Sequence, residues 1–354
     1  MNKKITTNIS AYCLLPTFNI LFFVIVTIIV LLRSPVCNAR DNYVFVLQGL
    51  NSSFNSSILD RNFIDGMALQ IGWRDVERAQ GKYNWQRVDQ LVAEAKSRNK
   101  RITLHLLPLH PPEWIFTAGA ERYCFTMPAR SEFMRGGREL CEILPWDPVY
   151  LEHWSRLIAE FGKHYNNNPT VLAVSVTAPA PEMVLPGAIP GTQTFLDMQK
   201  RFNKDVYLNA WKQMINAYQL SFPDKIKFIA PGMVLFDEFF ADDVIRYAQD
   251  HYGKKLWLFN AGLRADGVPQ KSMGTGHIAS RLEAFAKEGV LGLQTIWNAT
   301  DDPGNRMRGT LPDVLKKGMQ MGASYFEIYA IDVQNPELQT RLADFKRQLC
   351  GCEL

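Results

Sequence analysis

Glu327 has the sequence setting that most invites chemistry. It lies in the run YFEIYAID (325–332), which reads as a buried strand by length and composition. Side chains two apart on a strand share a face, so Tyr325, Glu327 and Tyr329 point one way and Phe326, Ile328 and Ala330 the other. The apolar set suits a layer beneath helices, which leaves Glu327 on the inner side. There a carboxylate is either a site residue or one half of a structural ion pair, because a lone buried charge is too costly. Asp332, at the end of the same run, is a weaker site residue or the cap of a turn. A second carboxylate, Glu182, closes the run VTAPAPEM, where Pro179 and Pro181 stiffen the backbone that carries it. It is either a functional group or a solvated loop glutamate. Trp73, Trp114, Trp146 and Trp297 fall at or just past the ends of apolar runs. Aromatic faces there can pack on the C–H faces of sugar rings, with His110, Asn260, Asn298 and Tyr329 as polar neighbours that read hydroxyls. For each of these residues ordinary packing or a loop hydrogen bond is the competing reading. Arg264 follows Asn260 in the same loop, His105 is a lumen histidine or a ligand contact, and Trp154 and Trp211 belong to helix faces and the core.

The elements that must position these groups alternate regularly after residue 40. Apolar runs occupy 43–50, 66–73, 101–109, 171–178, 226–232, 255–261, 290–297 and 325–332. Amphipathic stretches lie between them at 85–98, 150–165, 201–220, 239–252, 277–288, 310–320 and 336–349. Eight strands, most followed by a helix, with no linker or repeat, predict a (β/α)8 TIM barrel as one domain over 41–350. A doubly wound sheet is the alternative, but Gly49-Leu50-Asn51 lacks the glycine spacing of a phosphate-binding turn. Three long connections, 110–147, 179–199 and 262–276, follow strand ends on the face where barrel sites form. The first is expected to wall the pocket, with Cys124 and Cys141 positioned to staple it.

The run 72–114 resembles the clan A glycoside hydrolases, especially the beta-galactosidase-like barrels of family 42. The matching residues are Trp73, Glu77, Gly81, Tyr83, Trp85 and Asp89, followed by an apolar strand and Pro112-Glu113-Trp114. The resemblance implies a glycosidase barrel in which one carboxyl protonates the leaving oxygen and a second carboxylate attacks from the opposite side. It places the acid/base after strand four, where this chain has Glu182 without the preceding Asn. It places the nucleophile at the end of strand seven, where this chain has Gln294, and an amide cannot attack as an anion. Glu327 on strand eight is then the best available nucleophile, and retention of configuration is the implied outcome. Glu77 is expected to be structural. The same two departures support a barrel that binds carbohydrate without cleaving it.

The first 39 residues read as a targeting element. Lys3 and Lys4 precede an apolar run from Phe18 to Leu32, and Arg33, Ser34 and Pro35 end it. A cleaved signal ending near Ala39 and an uncleaved single-pass anchor both fit, since the run approaches the roughly 20 residues needed to span a bilayer. Either places the barrel outside the cytosol: secreted, periplasmic or membrane-anchored, with membrane contact only through this segment. Asn51, Asn55 and Asn298 begin glycan-acceptor tripeptides, a pattern short enough to arise by chance.

Composition excludes other classes. At 47% hydrophobic residues the chain can bury a large core. Three of its four net positive charges sit at Lys3, Lys4 and Arg33, which leaves a nearly neutral body with no footprint for nucleic acid. No HExxH, cation loop or second cysteine pair at metal spacing is present, so neither metal nor organic cofactor is expected.

Overall fold

The computed structural model describes residues 42–126, 137, 139–237, 239–269 and 277–351. The expected segment 1–39 lies outside these residues, as do parts of the 110–147 and 262–276 connections. Eight parallel strands close a barrel: β1 (Tyr43–Gly49), β2 (Gly66–Gly72), β3 (Arg101–Leu107), β4 (Val171–Ser175), β5 (Ile226–Ile229), β6 (Leu256–Leu263), β7 (Val290–Thr295) and β8 (Tyr325–Tyr329). Each pairs with its neighbours in chain order, and β8 closes on β1 through Tyr43↔Tyr325 to Leu47↔Tyr329. This is the (β/α)8 architecture.

Alternation along the strands sorts the core into two layers. Phe45, Leu47, Ala68, Ala173, Phe228, Trp257, Phe259 and Tyr325 fill the barrel interior. Val44, Val46, Met67, Leu69, Ile102, Leu104, Phe326 and Ile328 face the surrounding helices. Leucine-sized side chains buried this way contribute about 1.5–3 kcal/mol each relative to exposure.

The helices begin where the sequence supplies caps. Asp147 accepts the Tyr150 N–H at 2.8 Å, Pro148 opens the helix Pro148–Tyr165, and Trp154, Leu157, Ile158 and Phe161 form its buried face. Thr310 and Asp313 cap Leu311–Gln320 reciprocally, with Pro312 in the first turn. The stretch expected as a helix over 201–220 is the helix Lys204–Ser221, and a further helix, Gln193–Arg201, precedes it. Asn203 separates them, its side chain accepting the N–H groups of Asp205 and Val206. The first of the pair occupies sequence expected to be loop.

The connection after β3 carries an antiparallel hairpin, Arg122–Thr126 with Glu139–Ile143, outside the barrel. Cys124 and Cys141 are cross-strand partners and form the expected disulfide. No helix among the described residues is long and apolar enough to cross a membrane.

Candidate active site

Glu327 occupies the barrel interior with no solvent exposure, on the same face of β8 as Tyr325. Its Oε1 lies 2.8 Å from the Tyr325 hydroxyl, which donates to it, and 2.8 Å from Nε2 of His105 on β3. His105 Nδ1 is 2.5 Å from the Ser175 hydroxyl at the end of β4. A neutral imidazole that donates through Nε2 accepts at Nδ1, whereas an imidazolium donates through both nitrogens. The Tyr325 hydroxyl also lies 3.1 Å from Thr103 Oγ1. Strands β3, β4 and β8 therefore fix one oxygen of the carboxylate. The other, Oε2, is buried without a hydrogen-bond partner among the described residues. An orphaned buried acceptor costs about 1–3 kcal/mol, so Oε2 is the side open to an incoming donor.

The next residues outward are polar. Gln294, aligned with Glu327 across β7 and β8, faces the Tyr329 hydroxyl, and burial raises that hydroxyl's pKa. Tyr329 borders a cavity of about 640 Å³ whose walls include Gln48, Ser52, Asn55, Gln70 and Gln334. These groups are all neutral and suited to hydroxyls. Trp297 stands beside Tyr329 with ring centroids 6.2 Å apart, and the Arg306 guanidinium lies 4.1 Å over the indole. Asp332, fully buried, accepts from the Ala299 N–H and from both the N–H and hydroxyl of Thr300. It caps the turn after β7 that carries Trp297 and Asn298. Asn298 itself accepts the Asp301 N–H at 2.7 Å, and Asn260 accepts the Gly262 N–H at 2.9 Å, so both amides shape their own loops. Arg264 pairs with Asp266 at 3.1 Å.

Glu182 lies in the loop after β4 in the left-handed region, with φ 51° and ψ 24°. A non-glycine residue there is uncommon, and such strain concentrates at functional positions. Gly232, just past β5, permits the close approach that holds it: a Cβ there would sit 1.9 Å from the Glu182 carbonyl oxygen. The half-buried carboxyl has no hydrogen-bond or ion-pair partner among the described residues, and desolvation raises its pKa. No hydrogen bond joins it to Glu327.

Three tryptophans expected at the rim pack against neighbouring rings. Trp73 is fully buried, edge-on to Trp114 and Trp154, and donates from Nε1 to Glu77 at 2.8 Å. The short helix Trp73–Val76 turns the ring into the layer between barrel and helices, so it offers no face to a sugar. Trp114 is half-buried, donates to the Glu77 carbonyl at 3.1 Å and meets His153 edge-on. Glu77 is structural as expected, with its other oxygen accepting the Gly81 N–H. Trp146, also half-buried, packs edge-on to Phe202 and Tyr207.

His110 is mostly exposed and left-handed (φ 51°), with Nδ1 3.7 Å from a carboxylate absent from the sequence expectations, Glu142. Burial pushes the Glu142 carboxyl up to about 7, while the His110 backbone N–H and the Arg74 charge pull it down. The signal for it was available: once Cys124 pairs with Cys141, Glu142 falls opposite Tyr123 on the buried face of the hairpin. Among the described residues, no three His, Cys, Asp or Glu side chains gather as metal ligands.

Comparison with known proteins agrees with this architecture. Residues 64–179 match the glycoside hydrolase family 42 model, described as beta-galactosidase, over the segment from β2 to just beyond β4. No curated protein matches the chain in sequence. Among solved structures, the catalytic domain of a beta-amylase from Paenibacillus polymyxa superposes with TM-score 0.59 at 12% identity, covering 88% of this chain and 99% of that one. An endo-beta-1,4-glucanase from Xanthomonas axonopodis pv. citri superposes with TM-score 0.52 at 10% identity, covering 87% and 99%. The chain is a (β/α)8 barrel that is similar, over residues 64–179, to the family 42 glycoside hydrolases.

Proposed function

We propose that this protein is an extracytoplasmic glycoside hydrolase that cleaves a glycosidic bond in an oligo- or polysaccharide. The family 42 match over residues 64–179 carries the reading, and Glu182, Gln294, Trp297 and Glu327 belong to later parts of the same closed barrel. Two carboxyl roles are needed, a proton donor to the leaving oxygen and a carboxylate on the opposite side of the sugar. Glu327 takes the second. His105 and Tyr325 steady one of its oxygens and leave Oε2 for the anomeric carbon, approached past Tyr329 and Gln294. For the first role the connections after β4 and β3 offer Glu182 and Glu142, and burial raises the pKa of both carboxyls, the direction a proton donor needs. Signal cleavage or anchoring through residues 1–39 belongs to the same proposal and is read by the amino terminus of the native protein.

The second reading, a barrel that holds carbohydrate without cleaving it, rests on Gln294 at the end of β7 and on the complete enclosure of Glu327. A panel of aryl glycosides and oligosaccharides, with calorimetry on the same sugars, separates the two. Turnover abolished by Glu327→Gln with binding retained supports hydrolysis. Binding without turnover in the unaltered protein supports the alternative.

A further inference from the structure

The hairpin in the connection after β3 has an inner and an outer face. Tyr123 and Phe125 are buried, while Arg122, Cys124 and Thr126 between them are exposed. Pairing puts Leu140 opposite Phe125 and Glu142 opposite Tyr123, so Glu142 shares the inner face with aromatic and aliphatic side chains. A carboxylate on a half-buried apolar face needs a reason, since burial without full pairing is unfavourable.

Its surroundings place it at the site end of the barrel. Phe125 packs on Gly187, where an added Cβ would fall 2.8 Å from the ring, so the hairpin rests on the same loop that carries Glu182. His110 follows β3 and Arg74 follows β2, and the Arg74 guanidinium donates to the Pro111 carbonyl at 2.9 Å, tying the two connections together. Tyr150, close enough to feel the Glu142 charge, donates its hydroxyl to the carbonyl of Pro179 beyond β4. Glu142 thus stands where the connections after β2, β3 and β4 converge.

We propose that Glu142 is a catalytic carboxyl of this site: it donates the proton to the departing glycosidic oxygen, and the Cys124–Cys141 staple holds it in place. The proposal rests on the hydrolase reading above. As the bond from the anomeric carbon to the glycosidic oxygen breaks, its electron pair goes to oxygen and the Glu142 proton follows, releasing an alcohol. The water that then adds its hydroxyl to the anomeric carbon returns a proton to the Glu142 carboxylate. Net chemistry is the addition of one water across the bond.

Several features favour Glu142 over Glu182 for this step. The disulfide at the adjacent Cys141 limits its backbone, and His110 and Arg74 face it, whereas no described residue orients the Glu182 carboxyl. A carboxyl titrating near neutrality is protonated often enough to donate and ionises readily once it has done so. The titratable and charged groups around it are His110 from the β3 connection, Arg74 from the β2 connection, Tyr150 from the helix behind and Tyr123 from the opposing strand. Desolvation raises its pKa, and the His110 backbone N–H and the Arg74 charge lower it.

The test uses the full chain and a series of aryl glycosides from phenyl to dinitrophenyl leaving groups. Glu142→Gln is expected to slow phenyl glycoside cleavage by about 10²–10⁴-fold, the range of general acid catalysis, and to leave dinitrophenyl release nearly unchanged. It is also expected to erase the fall of kcat/KM above about pH 7. Glu139→Gln, at the exposed end of the same hairpin strand, retains both properties, and Glu142→Asp, one methylene shorter, keeps the pH limb at reduced rate. An unchanged leaving-group slope and pH profile in folded Glu142→Gln overturns the proposal while the hydrolase reading stands. The same follows if the slope changes only in Glu182→Gln. Absence of turnover by the unaltered protein on every glycoside overturns the hydrolase reading and this proposal together.

Discussion

Glu327 and Glu142 are both carboxylates withdrawn from water, and the molecule holds them by different means. Glu327 is set by strand geometry: β8 aims it inward, and His105 and Tyr325 reach it from fixed barrel positions. Glu142 sits outside the barrel on a two-stranded hairpin, a unit marginal by itself, whose register depends on one disulfide and on packing against the β4 loop. The barrel interior supplies rigidity at the cost of access. The rim supplies access and must import rigidity through the staple.

That contrast predicts where damage is greatest. His105→Ala removes the partner of a fully buried carboxylate, and breaking such a pair typically costs about 3–5 kcal/mol. Denaturant unfolding should show this loss, and a change under about 1 kcal/mol would mean that the pair does not hold the interior together. Replacing Cys124 and Cys141 with Ser releases a loop of 17 residues. The expected loss is roughly 2–4 kcal/mol, less where the hairpin frays locally instead of unfolding the barrel. Thermal unfolding with and without reductant reads it, and equal melting temperatures would assign hairpin rigidity to packing alone.

A further effect is the pH dependence that Glu142 adds. Its folded pKa of about 7 lies above its ordinary 4.5, so between these values the unfolded chain has released a proton that the folded chain retains. Raising pH through this window therefore favours unfolding: the stability from the retained proton is complete below about 4.5 and gone above about 7. Each pKa unit of separation is worth about 1.4 kcal/mol. The melting temperature of the unaltered protein relative to Glu142→Gln should fall from pH 4.5 to 7 and level off beyond. A difference that is flat across this range would place the Glu142 carboxyl in ordinary solvent.

The same division explains what the sequence made legible. Strand alternation is local, so all eight strands and the inward face of Glu327 could be read from the residues. Trp73 misled because a one-turn helix after β2 rotates its ring, and strand periodicity says nothing past the strand's end. The helix Gln193–Arg201 was missed in sequence that reads as loop, and its separation from the next helix at Asn203 is a matter of one side chain's hydrogen bonds. Glu142 was missed since its inward orientation follows from cross-strand register, a non-local fact. Cys124 and Cys141 contained that register, but only when treated as aligned partners.

The central claim is that the buried carboxylate of β8 serves chemistry as well as packing, and Glu327→Gln tests it most directly. The amide preserves shape and can still hydrogen-bond His105, but it cannot attack as an anion. Single-turnover hydrolysis and calorimetric sugar binding should be measured on the same folded preparation. The account predicts turnover reduced by several orders of magnitude with binding essentially intact. Full turnover in folded Glu327→Gln protein would contradict it and leave Glu327 as a structural partner of His105.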